Sequence, residues 1–149
     1  MIIKGAIASP VPEISGYLKD KIEMVFTYAL SEHEAKVLYI GLEKLSTQIE
    51  EEKVANMPEI SCIFTKDGEI SMAIDSEDLL AVNTNRLCIY AIERWREIGG
   101  SDILILMVFL EELCHVIWNI TDEIKVKYKV FDILKRIWPD FKIEDIYKL

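Results

Sequence analysis

The stretch FLEELCHVIW, residues 109–118, sets Glu111, Glu112 and His115 inside one of the most apolar parts of the chain. A carboxylate taken out of water without a partner is costly. The trio therefore faces solvent, pairs internally, or holds something. In a helix, residues four apart share a face, with side-chain roots about 6 Å apart. Glu111 and His115 have that spacing. Two donors so placed on one rigid helix can reach a single metal ion. Glu112 projects about 100° further round the axis, where a carboxylate can act on a metal-bound water rather than on the metal. The plainer alternative is that the two glutamates end the buried part of the helix and face water, while His115 makes an ordinary hydrogen bond.

The elements that must position these residues can be read outward from them. Ser101-Asp102 caps a helix over residues 102–119, and residues 103–110 are apolar on every side, so this helix is surrounded by protein. Thr121-Asp122-Glu123 caps a following helix with Val126, Val130, Phe131 and Leu134 inward; Pro139 stops it, and residues 143–149 suit a last turn. Upstream, Ser76-Glu77-Asp78 opens a long helix whose core side includes Leu87, Ile89, Tyr90, Ile92 and Trp95, ended by Gly99-Gly100. Residues 60–65 and 69–74 are two β-like runs, and Lys66-Asp67-Gly68 between them predicts a hairpin. Nearer the start, Ile14, Leu18, Ile22, Val25, Phe26 and Leu30 follow helical spacing and predict a helix over residues 13–30. Ser31-Glu32-His33-Glu34 is a capping box that starts another helix, with Val37, Leu38, Leu42 and Leu45 inward; a strand over residues 37–42 is its competitor. The expected fold is α+β: one domain over residues 1–149, helices packed around a small sheet containing a β-hairpin, with a central buried motif helix.

Glu111-Glu112-Leu113-Cys114-His115 resembles the zincin metallopeptidase motif H-E-x-x-H, with glutamate in place of the first histidine. The order of hairpin, long helix, apolar motif helix and further helix is similar too. The resemblance, over about residues 60–135, implies that Glu112 is the general base and His115 a metal ligand, with Glu111 in the first ligand's place. A third ligand would come from downstream, where Asp122 and Glu123 are the nearest acids. The implied cofactor is a divalent metal: zinc, or manganese or iron, because a carboxylate-rich donor set is harder than the usual zinc site. The implied activity is metal-dependent peptide hydrolysis, or none if the site is a degenerate remnant.

Other features narrow the field. Net charge is −9, from 17 basic and 26 acidic residues, which disfavours nucleic acid and anionic membrane surfaces. The longest apolar run, residues 103–110, is far short of the ~20 residues a membrane span needs. Cys62, Cys88 and Cys114 are odd in number and widely spaced, and no export signal is evident, so a reducing cytoplasm is expected. Glu112 and His115 also form Glu-x-x-His, but a di-iron bundle needs two copies, and Leu30 stands three before the other histidine, His33. Hydrophobic residues make up 51% of the chain, which supports a competing reading: a non-enzymatic cytoplasmic interaction domain that binds a protein or peptide, including a homodimer version.

Overall fold

A computed structural model describes residues 3–14, 16–71 and 86–149. Among these residues the order is β1 (Ile22–Phe26), α1 (Glu32–Glu51), β2 (Ile60–Thr65), β3 (Leu87–Ala91), α2 (Ile92–Glu97), α3 (Asp102–Ile117), α4 (Glu123–Leu134) and α5 (Ile143–Ile146). The architecture is α+β: helices pack on a small three-stranded sheet ordered β1-β2-β3.

Both strand pairs are parallel, and this corrects three expectations. The hairpin is absent from the described sheet, because β2 pairs with β1 along one edge and with β3 along the other. The Asp67-Gly68 turn does form, with Gly68 N–H donating to Thr65 Oγ1 at 2.7 Å and Glu69 N–H to Asp67 Oδ1 at 3.1 Å. No strand follows it at residues 69–71, and the rest of the expected second arm lies outside the described residues. The helix expected over residues 13–30 is instead one 3-10 turn, Gly16–Leu18, followed by β1. Asp20 sits between them in the left-handed region, φ 64°, which a helix cannot pass through. Ile22, Val25 and Phe26 are β-branched or aromatic, and pairing with β2 overrides their coincidental helical spacing. The long helix expected from Ser76 begins outside the described residues; Leu87–Ala91 is a strand, and only Ile92–Glu97 is helical. Leu-Cys-Ile-Tyr-Ala has strand composition, and its partners Ser61–Thr65 settle the matter.

The local signals around the caps hold. Ser31 Oγ accepts from Glu34 N–H, and Glu34 Oε2 accepts from Ser31 N–H at 2.7 Å, the reciprocal box that starts α1. The competing strand over residues 37–42 lies inside this helix. Ser101 Oγ accepts from Leu104 N–H to start α3.

The sheet presents an aromatic ladder to α3. Phe26 stacks on Phe64 at 4.8 Å and Phe64 on Tyr90 at 5.1 Å, one ring from each strand. Phe109 of α3 lies 5.3 Å from Tyr90, whose hydroxyl donates to the Phe109 carbonyl at 3.1 Å. Burying Phe109 fully contributes about 2–3 kcal/mol. Helix α1 crosses α3 at Gly41: a Cβ there would sit 2.5 Å from Leu106 Cδ2. Glu52, just past α1, ties α1 to the end of α3 and to the middle of α4. It accepts from Trp118 Nε1 and Lys129 Nζ, each at 2.6 Å. No helix among the described residues is long and apolar enough to cross a membrane.

Candidate metal centre

Helix α3 places its first donors by simple periodicity. Leu106, Phe109, Leu110, Leu113, Cys114 and Ile117 are buried. Glu111 and His115 lie beside this apolar face, half-buried and one turn apart. Glu112 is exposed.

The chain turns sharply after α3, through Asn119 at φ 51°. The turn brings the Ile120 carbonyl back to His115 Nδ1 at 2.6 Å. A carbonyl can only accept, so Nδ1 carries the proton and Nε2 is left as the free donor atom. Orientation of a metal-binding imidazole by a hydrogen bond from its other nitrogen is a recurrent arrangement. His115 Nε2 lies 3.8 Å from Glu123 Oε1.

Donor atoms of Glu111, His115 and Glu123 all lie within 4.8 Å of one another. The structure therefore brings together three of the sequence-predicted site residues. Asp122 is committed elsewhere. It is the N-cap of α4, its Oδ1 accepting from Ile124 and Lys125 N–H at 2.9 Å each, and those hydrogen bonds hold its carboxyl below the usual range. That capping starts α4 so that Glu123 occupies its first turn. Glu112 stands outside the trio; its charge bears on Cys88 and Tyr90 of β3.

Burial raises the Glu111 pKa, Glu123 and Glu112 raise it further, and Lys127 and His115 oppose the rise. Tyr147 O–H approaches Glu111 Oε2 at 3.5 Å, and the Lys127 ammonium lies 5.7 Å above the Tyr147 ring. Burial, and next the Glu111 charge, push the Tyr147 phenol well above its ordinary value. Sequence reasoning missed both Lys127 and Tyr147. Lys127 had a signal, since it stands four residues after Glu123 on α4; Tyr147 had none, because α5 packing against α4 brings it in.

His115 and Glu123 also line a cleft of about 670 Å³, together with Asn56, Arg86, Ile117 and Thr121 among others. Neither Glu111 nor Glu112 lines it. The donor set, one oriented imidazole and two carboxylates, fits a divalent cation of the harder kind. Donors bonded at about 2.0–2.2 Å stand no more than about 4.4 Å apart, and Glu123, whose side chain is 69% exposed, can take up any difference. Without a cation, a proton on His115 Nε2 would link the same groups as an ion pair. Comparisons with protein families, curated proteins and solved structures find no significant match.

Proposed function

We propose that this chain is a zincin-like protein with an altered metal-binding motif, whose function is to hold a divalent cation through Glu111, His115 and Glu123. The observation that carries the reading is the convergence of these three donors within 4.8 Å. The His115 Nδ1 contact supports it by leaving Nε2 free. A cation bound there would supply Lewis acidity and a water of lowered pKa. His115, anchored through Nδ1, and half-buried Glu111 would fix its position, while Glu123 closes from α4. Glu112 is the carboxylate next to this donor set and would hold a proton as general base in peptide hydrolysis. Because Glu112 does not line the cleft that His115 and Glu123 share, the geometry supports cation binding more strongly than hydrolysis. Three buried free thiols, Cys62, Cys88 and Cys114, agree with residence in a reducing cytoplasm.

Metal titration of chelator-treated protein by calorimetry, with manganese and with zinc, tests the reading. One cation per chain is expected. Glu111→Gln, His115→Ala and Glu123→Gln should each weaken it by more than about 100-fold, while Asp122→Asn, which keeps the cap, should not. Equal affinity in all variants, or no uptake by the wild type, overturns the centre. Peptidase activity lost in Glu112→Gln would add the catalytic role.

The interaction-domain reading draws on a different place, a groove of about 330 Å³ between Pro10-Val11-Pro12 and α1, where Val11 and Tyr39 are exposed. Solution mass by light scattering decides its homodimer version: a dimer that Tyr39→Glu dissociates supports it, and a monomer removes it.

A further inference from the structure

The cleft beside the donor trio contains a cation that the metal reading does not use. Arg86 lines it together with His115 and Glu123. Among the described residues the Arg86 guanidinium has neither a hydrogen bond nor an ion pair, whereas Arg96 holds Glu34 and Arg136 holds Glu51. Its backbone is anchored, because the Arg86 carbonyl accepts from Ser61 N–H at 3.0 Å, immediately before β3. The cleft wall is mixed: Asn56 and Thr121 are polar, Pro58 and Ile117 apolar.

Charge and shape together indicate what such a cleft takes. A divalent cation would offset Glu111 and Glu123, leaving Arg86 as a basic side chain of the cleft lining with no acidic partner among the described residues. Guanidinium offers two parallel N–H donors that match a carboxylate. With the metal's charge taken up by Glu111 and Glu123, one arginine with no lysine or second arginine among the described residues lining the cleft suits a singly charged group better than phosphate, which carries about 1.5–2 charges at pH 7. A chain of net charge −9 also repels polyanions. The apolar wall can cover a hydrocarbon body next to the charged end.

We infer that Arg86 binds the carboxylate of a small acid with an apolar body, such as a peptide ending in a free α-carboxylate, within the cleft that His115 and Glu123 share. This inference rests on the proposed metal centre, and the experiment separates the two. Calorimetry on the full chain, with manganese saturating, compares N-acetyl-alanyl-leucine with its C-terminal amide. The acid is expected to bind at least tenfold tighter. Arg86→Met should bring acid and amide within twofold of one another, Arg86→Lys should keep part of the preference, and manganese affinity should be unchanged in both variants. Equal binding of acid and amide to the wild type, or a preference that survives Arg86→Met, overturns the role of Arg86 while leaving the metal centre standing. Inorganic phosphate that displaces the acid with equal or better affinity overturns the carboxylate assignment. If the wild type takes up no manganese, the metal centre fails, and the same comparison without metal still decides: a preference abolished by Arg86→Met supports the carboxylate subsite, and equal binding overturns it.

Discussion

Replacing Glu111 with glutamine keeps the shape of the side chain and removes its charge. In the metal-free protein that charge is poorly placed: burial disfavours it, and Glu123 and Glu112 repel it. Lys127 and His115 offset part of this, and the Tyr147 hydroxyl at 3.5 Å is too distant for a strong hydrogen bond. Glutamine keeps an acceptor for that hydroxyl. The side chain is only half-buried, so water screens the repulsion, and the relief expected is about 0.5–1 kcal/mol. For a domain of this size, 1 kcal/mol is worth about 2–4 °C in Tm, so the variant should melt about 1–4 °C higher in chelator. A cation at 100 times its Kd adds about 2.7 kcal/mol, or about 5–11 °C, to the wild type and little to the variant. The order of melting should therefore reverse between chelator and saturating manganese, as followed by circular dichroism. If the variant melts several degrees lower in chelator, the carboxylate is a stabilising partner of His115 and Lys127 and not a metal ligand. A metal response that runs parallel in the two proteins refutes the reasoning equally.

Arg96→Met breaks two 2.8 Å hydrogen bonds to Glu34, whose side chain is 8% exposed, and should cost about 2–3 kcal/mol at pH 7, less than the roughly 3–5 kcal/mol of a fully buried pair because Arg96 is 39% exposed. The Arg96 hydrogen bond holds the Glu34 carboxyl below its ordinary 4.5, so this stability is complete above that value and is lost as pH falls through the lowered one; urea titrations showing equal penalties at pH 7 and pH 3 would count against it. Gly41→Ala forces a methyl to within 2.5 Å of Leu106 Cδ2, in a side chain that is 1% exposed and must turn within a packed core to make room, so chemical denaturation should show a loss of about 1–3 kcal/mol, and unchanged stability would mean that Leu106 repacks without cost. Asp122→Ala should cost about 0.5–2 kcal/mol through the lost cap of α4 and weaken manganese only a few-fold; a loss as large as that of Glu123→Gln would make Asp122 a ligand.

What could be read from the sequence tracks how local the governing physics is. Helix α3 and its two donors follow from a cap, an apolar run and a spacing of four, all within 16 residues, and they stand where periodicity puts them. Strand β2 stands over residues 60–65 where its composition predicts it, whereas β1 and β3 are five residues long, carry helical spacing by coincidence, and are specified by partners far away in the chain. Arg86 could not be found without the β2–β3 register, since that pairing carries it to the cleft. The choice between Asp122 and Glu123 was partly available: aspartate is a strong N-cap, and a carboxylate occupied with two backbone N–H groups is a poor ligand. This division has a mechanical consequence. Glu111 and His115 belong to a helix locked between the sheet and α1, with Phe109 and Leu110 fully buried beside them. Glu123 rides on the first turn of α4, with an exposed side chain. Any contraction of the trio onto a cation would therefore be movement of the exposed Glu123 side chain toward a fixed pair, and under the proposed reading the size of cation accepted would depend on that one movement.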